Sequence, residues 1–170
     1  MPGVRIVTDS ACDLSLDEAA ELGVAVVPLT IRFGSEELVD LEQLSVADFY
    51  QRMAASAELP ETAAPAPGLF EAAFRTLADD GADAVICINL SAELSATIES
   101  ARNAARAVAD TIEVRVVDSR TLTAGLGTIV IEAAQAARRG DDVEAVEALV
   151  GQLVDRTRVY ATLDPLDNLK

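Results

Sequence analysis

Residues 84–101, AVICINLSAELSATIESA, decide the fold. The first seven make a short apolar run of strand length, and the remainder carries hydroxyls directly into the first turn of a helix. A strand feeding a helix is the unit from which α/β layer structures are built. The helix start also suits an anion. Its free N–H groups and positive dipole end favour negative charge, and Ser95 and Thr97 add hydroxyl donors there without a full positive charge. A ligand at this turn is expected to be held by neutral donors.

The same alternation extends in both directions. Strands are expected at Val4–Thr8, Val24–Phe33, Ala84–Leu90, Val114–Asp118 and Val159–Leu163. Helices are expected at Leu16–Leu22 behind Ser15, Val46–Ala57 behind Ser45, Pro67–Asp79, Ser95–Ala109, Thr121–Arg139 and Val143–Arg156 behind Asp141 and Asp142. The Pro/Ala-rich stretch 57–67 reads as a surface loop, too short for a domain linker, so 1–170 is expected to be a single α/β domain with a mostly parallel sheet. Hydrophobic residues are 51% of the chain while aromatics are 4% and Trp is absent, so the core must be built of Ala, Val, Leu and Ile. That composition suits helices layered on a sheet.

Composition excludes several functions. A net charge of −16 opposes nucleic acid and anionic membranes, and no apolar run approaches spanning length, so neither nucleic-acid binding nor membrane insertion is expected. With no His, the chain has no Ser-His-Asp or Cys-His catalysis and no histidine metal site, and Cys12 and Cys87 lack metal-ligand spacing. No phosphate-binding glycine loop is present, since Gly125-Leu126-Gly127 is too short a match and falls inside an expected helix. No cofactor or metal is expected. Two cysteines in unrelated settings imply no disulfide framework and suit a reducing cytoplasm. Cys12 has no cationic neighbour to make it reactive.

In an open parallel sheet, ligands sit beyond the carboxyl ends of the strands. Three expected strand ends are rich in hydroxyls and carboxylates: Thr8, Asp9, Ser10 and Asp13; Ser91, Ser95 and Thr97; Asp118, Ser119, Thr121 and Thr123. Asp9, Ser10, Ser91, Asp118 and Ser119 are therefore rim candidates. For Asp9, Ser10, Asp118 and Ser119 a turn or cap role competes with a ligand role. At Ser95 and Thr97 a cap explains one hydroxyl but not the cluster. A phosphoaspartyl transferase using Asp9 would need a second carboxylate two residues on and a nearby lysine. Here the carboxylate is four residues on, at Asp13, and the only lysine is Lys170.

At these residues the chain resembles the DegV family of bacterial fatty-acid-binding proteins, which includes the lipid-carrying subunits of fatty acid kinase. VRIVTDSACDL is similar to the family's strand followed by T-D-S-x-x-D-L, and VAVVPLTIRFG to its I-x-V-V-P-L-x-I-x-F segment. Pro60-Glu61-Thr62 lies where the family has P-x-T-S-Q-P-S. LSATIESA at 94–101 resembles L-S-G-T-Y-x-S-A, and VVDSRTLTAGLG at 116–127 resembles V-x-D-S-x-x-x-S-x-G-x-G. The order and spacing of these motifs span essentially the whole chain. The resemblance implies a three-layer α/β sandwich of the EDD type. It also implies a non-enzymatic carrier that holds a long-chain fatty acid and presents its carboxylate to a separate kinase subunit, with Thr62, Ser95, Ala96 and Thr97 as head-group residues. The alternative is an enzyme acting on a small phosphorylated or carboxylated metabolite through Asp9, Asp118 and the strand-end hydroxyls.

Three departures from the family pattern matter. Ala63, Ala64 and Ala66 replace polar residues of the Thr62 loop, so head-group contacts are expected to be fewer. Ala96 replaces a glycine, which is costless only at negative φ and where no close backbone approach is needed. The chain stops at Lys170, where family members continue into a second, lipid-enclosing domain, so 1–170 is expected to correspond to the first domain alone.

Overall fold

A computed structural model describes residues 3–56 and 58–162. Four strands form a parallel sheet in the order β2-β1-β6-β7, where β1 is Val4–Asp9, β2 Val24–Val27, β6 Ala84–Asn89 and β7 Glu113–Asp118. The register pairs Ile6 with both Val24 and Ile86, and Ile86 in turn with Arg115. Every residue of β6 is buried, as a central strand covered on both faces requires.

Alternation along the strands sends side chains to two separate cores. On one face Val4, Ile6, Ile86 and Ile88 pack with α1 (Leu16–Leu22), α5 (Thr123–Arg138) and α6 (Val143–Arg156). On the other, Val7, Val85 and Cys87 meet Phe70, Phe74 and Leu77 of α3 (Pro67–Asp79) and Ala101 and Ala104 of α4 (Thr97–Ala107). This is the expected three-layer arrangement. No helix among the described residues is long and apolar enough to cross a membrane.

Helix starts follow local chemistry. Ser15 and Glu18 form a reciprocal capping box, Ser45 caps α2 (Val46–Ala55), and Asp142 caps α6 through the Ala145 N–H. Arg115 on β7 ties the edge strand to α6 by hydrogen-bonding Glu113, Glu144 and Glu147 at 2.6–2.7 Å.

Four expectations are corrected. Val24–Phe33 is not one strand: it breaks at Pro28, which lacks an N–H to continue the ladder. The second half, β3 (Thr30–Phe33), turns through Gly34 at φ 59° into β4 (Glu36–Val39) and also pairs with β5 (Glu61–Ala63) in a separate antiparallel sheet, β4-β3-β5. The stretch 57–67 therefore contains a strand and is not purely loop. Residues 159–162 form no strand, and Leu163 lies outside the described residues, as does Ala57. Helix α4 starts at Thr97 and α5 at Thr123, each two residues later than expected, because Ser95 and Thr121 are held in turns by bonds to Ser91.

Close approach explains Gly127. A Cβ there would stand 2.4 Å from the Cys12 carbonyl oxygen, so glycine lets α5 lie against the turn that follows β1. Gly127→Ala is expected to destabilise the fold by about 1–3 kcal/mol through overpacking against immobile backbone, read as a lowered denaturant midpoint with unchanged slope.

Candidate functional site

The strand order reverses between β1 and β6: the chain leaves β1 toward β2 on one side and later returns to β6 on the other. Such a switch point opens a crevice at the strand carboxyl ends. In this protein the Asp9 side chain fills it. Its Oδ2 accepts from Asn89 Nδ2 at 3.0 Å and from the Leu90 N–H at 2.9 Å, while Oδ1 accepts from the Ala11 N–H at 3.2 Å. Asp9 and Asn89 are wholly buried, and burial raises the Asp9 carboxyl above its ordinary range against the lowering effect of these bonds. Asn89, absent from the sequence candidates, was signalled by an amide inside the otherwise apolar run AVICIN.

The other rim candidates are engaged in similar ways. Ser10 is buried and its Oγ accepts from the Leu29 N–H at 3.0 Å. Asp118 Oδ1 accepts from the N–H groups of Ala92 and Arg120, latching the turn after β6 to the turn after β7. Ser119 Oγ bonds both to the carbonyl and to the N–H of Thr121. Ser91 shapes the turn after β6: its carbonyl accepts from Leu94 and Ser95, its hydroxyl from Glu93, and its N–H donates to the Thr121 carbonyl. Arg120 and Thr123 both adopt φ 51°, a costly conformation for non-glycine residues and most of all for a β-branched one, so strain is stored along this rim.

Ser95, Ala96 and Thr97 stand apart from that pattern. The Ser95 and Thr97 hydroxyls lie 2.9 Å apart, and Ser95 Oγ accepts from the Thr97 N–H at 3.2 Å. Ser95 is half-buried, Ala96 exposed and Thr97 buried. Helix α4 has no side-chain cap at Ala96, and the N–H groups of Ala96 and Ile98 have no acceptor among the described residues. Two unmet amides and the one hydroxyl proton left by the Ser95–Thr97 pair form a donor cluster at a helix start. Ala96 sits at φ −77°, so replacing a glycine there costs no backbone strain. The neighbouring helices α3 and α5 also lack side-chain caps at their starts.

Thr62 is on the other sheet. It pairs with Ile31 on β5, is exposed, and makes no hydrogen bond through its hydroxyl among the described residues. No hydrogen bond joins it to the Ser95 cluster.

Apolar exposure marks the same end of the molecule. Leu16 and Leu69 lie in the first turns of α1 and α3 and Leu94 just before α4, the ends of those helices that adjoin the strand carboxyl ends. Val159 and Tyr160 follow α6, and Val159 reaches the start of α5 beside Gly125. Val46, Tyr50 and Leu59 belong to the segment that leaves this end after β2. These eight are all the exposed large apolar side chains among the described residues. A cavity of about 770 Å³ opens at the opposite end, near Arg5, Glu21, Asp83, Glu113, Arg138 and Asp141. Its excess of carboxylates is wrong for an anion, and its two arginines already donate to the Gly23 and Glu21 carbonyls at the end of α1.

Comparison with known proteins places the chain in a family. The model of the DegV family, described as uncharacterised proteins, matches residues 3–170. A DegV domain-containing protein of Halalkalibacterium halodurans is 37% identical over 169 residues, covering 99% of this chain and 59% of that protein. One from Deinococcus radiodurans is 35% identical over 98% of this chain and 58% of its own length. This chain thus spans about three-fifths of those relatives. A fatty-acid-binding DegV family protein of Thermus thermophilus superposes with a TM-score of 0.81 at 31% identity, over 90% of this chain and 54% of that one. A fatty acid binding protein of Bacillus subtilis gives 0.84 at 27% identity, over the same shares.

Replacing Asp9 tests the crevice. Asp9→Ala strands two buried donors, Asn89 Nδ2 and the Leu90 N–H, at about 1–3 kcal/mol each, so a loss of roughly 2–6 kcal/mol is expected in chemical denaturation. The sign with pH is also set. Because the native pKa is raised, the folded chain keeps a proton that the unfolded chain has released, so this group's contribution falls as pH climbs from 3.8 toward the raised native value. Asp9→Asn is expected to remove that slope.

Proposed function

Because the chain belongs to the DegV family, we propose that the carboxyl end of its parallel sheet holds the carboxylate of a long-chain fatty acid. Ser95, the Ala96 N–H and Thr97 supply one side of the head-group site, and Thr62 supplies another. The chain carries the acid and does no chemistry on it. It presents the carboxylate in the cytoplasm to a separate kinase subunit, which brings the nucleotide and metal for which this chain has no binding loop.

One observation carries the reading: unmet neutral donors and exposed large apolar side chains coincide at one end of the molecule. A fatty acid is the ligand that needs both. Its carboxylate takes the N–H and hydroxyl donors, and its chain gains about 0.8 kcal/mol for each CH₂ taken out of water. The relatives of known structure from Thermus thermophilus and Bacillus subtilis, described as fatty-acid-binding, support the same ligand. Because this chain covers just over half of them, an acyl chain held on this unit alone is expected to keep part of its length wet, and a second domain like the relatives' remainder is needed to enclose it.

The alternative, an enzyme working on a small charged metabolite through Asp9 and Asp118, is weakened by where those carboxylates spend their oxygens. Asp9 is buried beneath the rim, and Asp118 accepts from two backbone N–H groups. Asp9 has neither oxygen left for a ligand, and Asp118 is fixed in place by the latch through Oδ1.

Binding of palmitate, followed by isothermal titration, is the direct test. Each of Ser95→Ala and Thr62→Ala removes one hydroxyl bond to a charged oxygen and is expected to weaken binding about 10- to 100-fold. Unchanged affinity in the double variant would sink the head-group assignment.

A further inference from the structure

The antiparallel sheet and α2 are scarcely attached to the rest of the molecule. Leu29, Ile31 and Leu44 are buried, yet none is part of either core that clamps the parallel sheet. Helix α2 buries no residue fully, and its Phe49 ring packs tilted, at 5.9 Å, on Phe33 of β3. The ion pairs of this unit are internal: Arg32 with Glu61, and Arg52 with Glu36. Among the described residues, no ion pair links β3, β4, α2 or β5 to the three-layer body. Among the described residues, the one side-chain hydrogen bond between the two parts, from the Leu29 N–H to Ser10 Oγ, lies at the root of the unit. One electrostatic interaction across the gap is repulsive, since burial first and Asp40 second push the Asp13 carboxyl upward. The chain enters through Pro28-Leu29 and leaves through Ala64-Pro65-Ala66, two short connections on the same side.

We propose that β3, β4, α2 and β5 form a lid that swings about these two connections, and that a bound carboxylate closes it by bridging Thr62 on the lid to Ser95 and Thr97 on the body. This rests on the head-group assignment above. With so few bonds crossing to the body, the lid opens at low cost in the lipid-free chain. A ligand oxygen shared between the two parts supplies the missing attachment. Thr62 is suited to this role: it shares a face of the small sheet with its partner Ile31, and its hydroxyl is unspent.

Amide hydrogen exchange, read by mass spectrometry with and without sodium palmitate, tests the lid and the ligand separately. In the lipid-free chain the amides of β3 and β4 are expected to exchange at least ~100-fold faster than those of β1 and β6, and palmitate is expected to slow them at least ~10-fold. Thr62→Val preserves shape and strand propensity while removing the hydroxyl. It is expected to bind palmitate more weakly and, at saturating palmitate, to lose the slowing. Lid amides as protected as those of β1 without lipid would overturn the lid. Palmitate bound, by native mass spectrometry of the same sample, with lid exchange unchanged or with full slowing in Thr62→Val, would overturn closure through Thr62. A chain that binds no palmitate would overturn the head-group assignment and the trigger together, while its lipid-free exchange still decides whether the lid moves.

Discussion

Everything at the functional end depends on one buried carboxylate. Asp9 lies where the strand order of the parallel sheet reverses, and its two oxygens gather the Ala11 and Leu90 N–H groups and the Asn89 amide. Burying a carboxylate is costly unless its lone pairs are used, and here three donors converge on it. The result is a fixed relation between the turn after β1 and the turn after β6. Gly127 brings α5 against the first of these turns, and Asp118 latches the second to the turn after β7.

This arrangement divides the hydroxyl-rich rim into two classes. Asp9, Ser10, Asp118 and Ser119 spend their polar atoms on the protein's own backbone or side chains and build the platform. The Ala96 N–H, one hydroxyl proton of the Ser95–Thr97 pair and the Thr62 hydroxyl have no acceptor among the described residues. Asp9 and Asp118 form the support beneath the neutral donors, although Glu93 lies in the same turn and Glu99 in the first turn of α4. The apolar side chains around the same end follow from the layered fold, because helix starts and strand ends meet there and no layer lies above them.

Much of this was legible in the residues. AVICINL announced a buried strand, Ser15, Ser45 and Asp142 announced helix starts, and SAELSAT announced a donor-rich turn, since each signal is local: burial of a short run, a side-chain cap, a hydroxyl beside a helix start. The small antiparallel sheet was not legible. VAVVPLTIRFG reads as one long strand until Pro28 is given its consequence, and ETA at 61–63 is too short and polar to announce a strand whose partner, β3, lies about thirty residues earlier. The functional division of the rim was equally hidden, because a strand-end Asp or Ser has the same sequence signature whether it binds a ligand or an N–H group.

By itself the sequence determined the α/β layering, the donor-rich turn after AVICINL and the lack of histidine and of a phosphate-binding glycine loop, because periodicity, capping and composition are properties of neighbouring residues. Only the tertiary structure decided which polar groups are already satisfied. Asn89 and Asp9 stand eighty residues apart in the chain and bond across the sheet. Thr62 lies on a strand of the small sheet and Ser95 in the turn that follows a strand of the parallel sheet, positions set by pairings no local pattern encodes. A hydrogen bond is committed by distance in space, and distance in space is what folding adds to the sequence.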